Sequence, residues 1–162
     1  MITLNRFIIE RLKLTKDSKL HIYNYHPKDF DELRSLLKQL LEERGPDANL
    51  NDIDISKINS FYDEEKKLGL FEKLNPRNIK IDKWDVSNVK DMSYMFYDCT
   101  NFNCNLSKLD VRNVEDMDGI FYGCESFTGQ GLENWKPIKC KDMRYMFDNC
   151  TSLKNKPNWY KE

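Results

Sequence analysis

Eleven residues, VKDMSYMFYDC from Val89, return as VEDMDGIFYGC from Val114 and as CKDMRYMFDNC from Cys140. A pattern written three times in register at a period of about 20 to 50 residues belongs to units that stack on one another, so the repeat constrains the fold before any local propensity does. Met92, Met117 and Met143 stand 25 and 26 residues apart, and Phe96, Phe121, Phe147 and Cys99, Cys124, Cys150 keep the same offsets. Upstream of each block lies a second shared element: Ile81-x-x-Trp84-Asp85-Val86, then Leu106-x-x-Leu109-Asp110-Val111, then Leu132-x-x-Trp135. The repeat is therefore a whole length of chain.

An altered first unit precedes these three. Leu50, Ile53, Ile55, Ile58 and Phe61 lie 31 residues before Ile81, Trp84, Val86, Val89 and Met92, whereas Leu70, Phe71 and Leu74 lie 25 before Met95, Phe96 and Cys99. The difference places a six-residue insertion between Phe61 and Leu70, around DEEKK. After the third full unit, Trp159 falls near the tryptophan position of a further one.

Within a unit, alternation around Trp84 and Val86, or Leu109 and Val111, predicts a short strand with those side chains inward. Asn88 or Asn113 suits the following corner, and Met95, Phe96 and Cys99 mark one face of a single helical turn that Asp98, Gly123 or Asn149 would end. Met, Phe and Cys then form three columns of core.

Upstream, DFDELRSLLKQLLEER predicts a helix over 29–44. Asp29 caps it with Glu32 three residues on, Phe30, Leu33, Leu36, Leu37, Leu40 and Leu41 line one face, and Gly45-Pro46 stops it. That face needs a partner, and the first repeat unit is the expected one. Residues 1–46 are thus read as leader and capping helix, and 47–162 as the repeat region. In the locally basic leader, residues 1–25, Leu4, Ile8 and Leu12 suggest a short amphipathic helix.

Lys+Arg 26 against Asp+Glu 27 leaves a net charge of -1, which steers nothing toward nucleic acid. A charged fraction of 33% with 12% aromatics describes a folded, soluble chain. No apolar run reaches the roughly 18 residues of a membrane helix. Arg6, Glu10 and Arg11 interrupt MITLNRFIIERLKL, which therefore lacks the apolar core of a signal peptide. The expected location is the cytoplasm, or a surface if a leader has been removed. Five cysteines, three of them in one repeat position, read as buried thiols rather than a disulfide framework.

The stretch WDVSNVKDMSYMFYDCTNF resembles the repeat of the BspA-like leucine-rich-repeat proteins, the mycoplasma lipoprotein-type surface repeat, whose units run W-D-V-S-N-V-x-x-M-x-x-M-F-x-x-C-x-x-F; LNDIDISKIN is similar to the first such repeat after a capping helix. The resemblance covers roughly residues 28 to 159, and the third unit departs from it with PIKC in place of Val-Ser-Asn-Val. It implies an α/β fold, a leucine-rich-repeat-like solenoid of about four coils of 25–26 residues with an N-terminal helical cap, used for contact with other proteins. Many relatives are exported, and short leaderless ones occur in phages and mobile elements.

Catalytic and metal chemistry find little footing. Asp91, Asp116 and Asp142 form a column of carboxylates, each best read as accepting backbone N–H groups at the start of a turn rather than holding calcium. DANLNDID from Asp47 opens like an EF-hand loop but lacks its sixth-position glycine and has Ile58 at the twelfth. The only histidines, His21 and His26, lie far upstream of the cysteines, and no C-x-x-C pair, G-x-S-x-G, P-loop or dinucleotide fingerprint occurs. No enzyme activity, cofactor or metal is expected.

Binding to another protein remains. On the turn face Tyr94 and Tyr145 share a column interrupted by Gly119, which would leave a shallow notch, while Tyr97 and Tyr122 share the neighbouring column; all four are expected to be exposed and to contribute to a partner site. Lys83 and Lys108 on the strand face are the competing candidates. Lys90, Glu115 and Lys141 alternate in sign and are read as ties between units. The expected function is a non-enzymatic protein-interaction module inside a cell, such as a phage or mobile-element accessory factor that binds or blocks another protein. The alternative is a structural or surface-anchoring protein, adhesin-like or virion-associated, held through residues 1–25. The sequence leaves the partner and the oligomeric state open.

Overall fold

The helix predicted over 29–44 is present as α1, Phe30–Arg44, in the computed structural model, which describes residues 23–161. The leader helix suggested by Leu4, Ile8 and Leu12 lies outside the described residues. Asp29 takes extended backbone and its carboxylate accepts from the Glu32 N–H at 2.9 Å, while the Glu32 carboxylate accepts from the Lys28 N–H at 2.9 Å. This reciprocal pair fixes where the chain enters the helix. The Gly45 N–H donates to the Leu41 carbonyl at 3.0 Å and closes the other end. Leu33, Leu37, Leu40 and Leu41 are buried, and Phe30 and Leu36 pack beside them. On the same helix Arg34 reaches the first repeat, where its guanidinium donates to the carbonyls of Gly69, Leu70 and Glu72.

Beyond α1 the expected α/β leucine-rich-repeat-like solenoid of about four coils does not form. The described residues hold one α-helix, an antiparallel pair of two-residue strands, β1 (Tyr62–Asp63) and β2 (Leu68–Gly69), and two 3-10 turns at Val111–Asn113 and Leu132–Asn134. No strand forms at 84–86, the run at 109–111 leads into a 3-10 turn, and 95–98 is turn rather than helix. The repeats meet through isolated parallel bridges, Ser60 to Asp91 to Asp116 to Asp142, in place of a continuous sheet.

The reason is in the backbone. Tyr94 and Asp98 both have φ of 52°, their equivalents Gly119 and Gly123 have 56° and 71°, and Tyr145 and Asn149 have 55° and 59°. Two left-handed residues per repeat, four positions apart, exclude a right-handed helical turn. They also aim alternate N–H groups at the next repeat: Phe96 donates to the Ile120 carbonyl at 3.0 Å, and Phe121 to the Met146 carbonyl at 3.1 Å. The intervening groups close tight turns, as in Cys99 N–H to the Phe96 carbonyl at 3.0 Å.

The inward positions are those the repeat predicts. Met92, Met95, Phe96 and Cys99 are fully buried, as are Met117, Ile120, Phe121 and Cys124. Phe71, Phe96, Phe121 and Phe147 stack with centroids 5.2, 5.8 and 5.8 Å apart and planes within 11°. Burying each such ring contributes about 1.5 to 3 kcal/mol, and the stacking adds to it. The indole N–H groups of Trp84, Trp135 and Trp159 donate to the carbonyls of Leu50, Leu106 and Leu132 at 2.9, 3.0 and 2.7 Å, so each large ring is held without an orphaned donor. Among the described residues no helix is long and apolar enough to cross a membrane.

Candidate functional site

The six-residue insertion forms the β1–β2 hairpin. Asp63 turns it by accepting from the Glu65 and Lys66 N–H groups at 3.0 and 2.9 Å, and Lys67 takes a left-handed φ of 52°. This sets Tyr62 beside Tyr94, ring centroids 5.5 Å apart. Tyr94 meets Tyr97 edge-on at 5.6 Å, and Tyr97 stacks on Tyr122 at 5.1 Å. Four tyrosines from three repeats thus form one continuous array. Tyr62, Tyr94 and Tyr97 line a cavity of about 290 Å³ together with Lys67 and Glu72.

Each ring of the array is half-buried, so the expected exposure is corrected: of the four tyrosines named from the sequence, only Tyr145 is exposed, at 55%. The notch expected at Gly119 is filled by the Tyr94 ring, and a Cβ at Gly119 would lie 2.5 Å from Tyr94 Cε1. The Tyr94 hydroxyl continues past it and donates to Asp118 Oδ2 at 2.6 Å. That hydrogen bond, with burial behind it, holds the Tyr94 phenol well above the ordinary tyrosine range. Burial also raises Tyr62 and Tyr97. The array presents aromatic faces and hydroxyls.

The structure brings together Tyr94, Tyr97 and Tyr122 and adds Tyr62, which sequence spacing could not find because the insertion removes it from register. Tyr145 makes no ring contact with them among the described residues. Lys83 and Lys108 are exposed elsewhere; Lys108 borders a separate hollow of about 250 Å³ with Asp110, Arg112, Asn134 and Lys136.

The cysteines are structural. The thiols of Cys99, Cys124 and Cys150 donate to the carbonyls of Phe71, Phe96 and Phe121 at 3.3, 3.1 and 3.0 Å, each tying one repeat to the one before it. Burial pushes Cys99 up to about 12 and Cys150 to about 11, and raises Cys124 further still, far from thiolate reactivity. Cys104, also buried, donates to the Ile79 carbonyl at 2.9 Å, and Cys140 is half-buried.

In the aspartate column, Asp91, Asp116 and Asp142 accept from the N–H groups of Ser93, Asp118 and Arg144 at 2.8, 2.9 and 3.1 Å. Among the described residues no group of three His, Cys, Asp or Glu side chains is placed to hold a metal ion. Glu115 pairs with Lys141 at 2.7 Å, whereas Lys90 reaches the Asn113 carbonyl at 3.4 Å instead.

A turn-built repeat carrying an aromatic array on one side describes the class of molecule. The chain belongs to the family described as Mycoplasma protein of unknown function, DUF285, whose model matches residues 58–161. No curated protein and no solved structure matches it.

Proposed function

We propose that this chain is a non-enzymatic protein-interaction module whose contact surface is the Tyr62–Tyr94–Tyr97–Tyr122 array. The observation that carries the proposal is the continuity of that array: three successive ring contacts of 5.1 to 5.6 Å bordering a cavity that only one polar pair, Lys67 and Glu72, shares with the rings. Tyrosine combines large apolar area, a hydroxyl at the rim and low entropy cost, and it is enriched where binding energy concentrates. The repeat adds support, since it resembles the W-D-V-S-N-V-x-x-M-x-x-M-F-x-x-C unit of the BspA-like proteins, which contact other proteins. An intracellular setting is supported by five cysteines that stand unpaired, the state a reducing compartment maintains.

The test is affinity capture by the full chain from its native host, followed by titration of the purified partner. Tyr97→Ala and Tyr122→Ala are expected to weaken binding about five- to thirtyfold each, or about 1 to 2 kcal/mol. If Lys83→Glu and Lys108→Glu abolish binding and the tyrosine changes do not, the contact surface lies on the other side.

A further inference from the structure

The hydrogen-bond ladder between repeats has two unlike ends. Met92, Tyr94, Phe96 and Asp98 donate their N–H groups forward to the carbonyls of Asp116, Asp118, Ile120 and Tyr122 at 2.9, 2.8, 3.0 and 2.8 Å. Met117, Gly119, Phe121 and Gly123 repeat the step to Asp142, Arg144, Met146 and Asp148 at 2.9, 2.8, 3.1 and 2.9 Å. The same four positions of the third repeat are Met143, Tyr145, Phe147 and Asn149, and their N–H groups meet no acceptor among the described residues. At the opposite end the first repeat offers carbonyls, and these are occupied: Arg34 Nη1 donates to Gly69 and Leu70 at 2.8 and 2.6 Å, and Nη2 to Glu72 at 2.7 Å.

An uncovered row of backbone donors at regular spacing is a template for another extended chain. Two independent features say what kind. The two large apolar side chains most exposed in the described structure, Ile138 at 75% and Tyr145 at 55%, both belong to this last repeat. Residues 132–161 also carry seven Lys or Arg against three Asp or Glu, in a chain whose net charge is -1. Asp142 pairs with Arg144 at 2.6 Å, Lys141 with Glu115 at 2.7 Å, Lys139 donates to Asn113 Oδ1 at 2.8 Å and Lys156 lies over the Tyr160 ring, which leaves Lys136, Lys154 and Lys161 as the exposed cations against Glu133 and Asp148. Trp159, stacked on Trp135, and Tyr160, edge-on to Phe147, cover part of this end, but among the described residues they supply no carbonyl to the four donors.

We propose that the edge formed by Met143, Tyr145, Phe147 and Asn149 docks an acidic, extended segment of a partner protein, which lends its backbone carbonyls to the four N–H groups and its carboxylates to the exposed lysines of residues 132–161. Backbone pairing supplies the register and charge the selectivity. Head-to-tail addition of a second copy is disfavoured, because the carbonyls it would present are held by its own Arg34. The site is separate from the tyrosine array, so either can fail alone.

The experiment uses the full chain and a labelled peptide of alternating Glu and Val, with alternating Lys and Val as its counterpart. Saturable binding of the Glu peptide in fluorescence anisotropy, weakened at least about tenfold for the Lys peptide, is the first expected result. Amide exchange followed by NMR is the second. In the free protein the Tyr145 and Asn149 amides should exchange quickly while Gly119 and Gly123 exchange slowly, and the Glu peptide should slow exchange at Met143, Tyr145, Phe147 and Asn149. Lys154→Glu with Lys161→Glu, both on exposed side chains, should weaken the Glu peptide without altering the fold. Binding without protection at those amides, equal binding of both peptides, or protection that grows with protein concentration in the absence of peptide would each overturn the proposal, the last by assigning the edge to a second copy.

Discussion

The Tyr94 hydroxyl donates to Asp118 Oδ2 at 2.6 Å, and the other oxygen of the same carboxylate, Oδ1, is buried without a partner among the described residues. The pair joins two repeats through side chains, beside the backbone bond from the Tyr94 N–H to the Asp118 carbonyl at 2.8 Å. Tyr94→Phe keeps the ring over Gly119 but leaves Asp118 with neither oxygen paired in a half-buried setting. It should cost about 1 to 3 kcal/mol in denaturant unfolding. Asp118→Asn in the Tyr94→Phe background should recover part of that loss, because an amide is less costly to leave unpaired than a carboxylate; two losses that simply add would show the hydroxyl is bonded elsewhere.

Asp91 and Asp142 hold equivalent positions yet titrate in opposite directions. Burial raises Asp91 above the ordinary 3.8, whereas the hydrogen bond from Arg144 lowers Asp142 below it. A raised folded value means the ionised form costs stability above that value, and the cost vanishes below 3.8, where both states are protonated; a lowered folded value means stability present above 3.8 and lost as pH falls through the folded value. Asn keeps the oxygen that accepts from Ser93 or Arg144. Asp91→Asn should therefore raise Tm or leave it unchanged at pH 7, Asp142→Asn should lower it slightly, and both differences should shrink toward pH 3. The same sign for both substitutions at pH 7 would contradict this account.

Phe121 is fully buried between Phe96 and Phe147, 5.8 Å from each, with Phe127 at 4.5 Å. Phe121→Ala opens a cavity in the middle of the column and should cost roughly 3 to 5 kcal/mol. A loss below about 1 kcal/mol would place that ring outside the core.

How much of this was legible follows from what each residue reports. Spacing identified the core columns and α1 because burial and helix capping leave their mark in residue type: Asp29, Glu32 and Gly45 name the ends, and Met, Phe and Cys name the inside. Backbone handedness leaves a fainter mark. Tyr94 and Tyr145 sit in the left-handed region that side chains usually avoid, and a period-based reading makes them part of a helical turn. The clue was in the middle repeat, where both left-handed columns hold glycine, Gly119 and Gly123, beside Asn149 in the second of them. Tyr62 was hidden for another reason: a hairpin insertion places it by tertiary contact, which no offset along the chain encodes.

The thiols provide a test that needs no substitution. Cys99, Cys104, Cys124 and Cys150 are buried and donate to carbonyls, and Cys140 is half-buried. In mass spectrometry after brief iodoacetamide treatment at pH 8, the native protein should gain at most one adduct, at Cys140, and the unfolded protein five. Rapid native modification of Cys124 would mean that the repeats part readily.

The seat of the hairpin gives the last prediction. A Cβ added at Gly69 would lie 1.8 Å from the Tyr94 carbonyl oxygen and 2.5 Å from its carbonyl carbon, and backbone cannot swing aside as a side chain can. At Gly45 an added Cβ meets nothing within 4 Å, and only the left-handed φ of 81° opposes it. Gly45→Ala should thus cost about 1 to 2 kcal/mol from conformation alone, whereas Gly69→Ala should cost about 2 kcal/mol or more by forcing β2 away from Tyr94. Displacing β2 carries β1 with it and separates Tyr62 from Tyr94, so the near-ultraviolet circular dichroism of the tyrosines should change in Gly69→Ala and stay the same in Gly45→Ala. Partner binding should fall with it, because the cavity between Tyr62 and Tyr94 is lost while the core columns remain. Equal stability losses with unchanged tyrosine signals would show that the hairpin does not rest on Tyr94 and that the array ends at three rings.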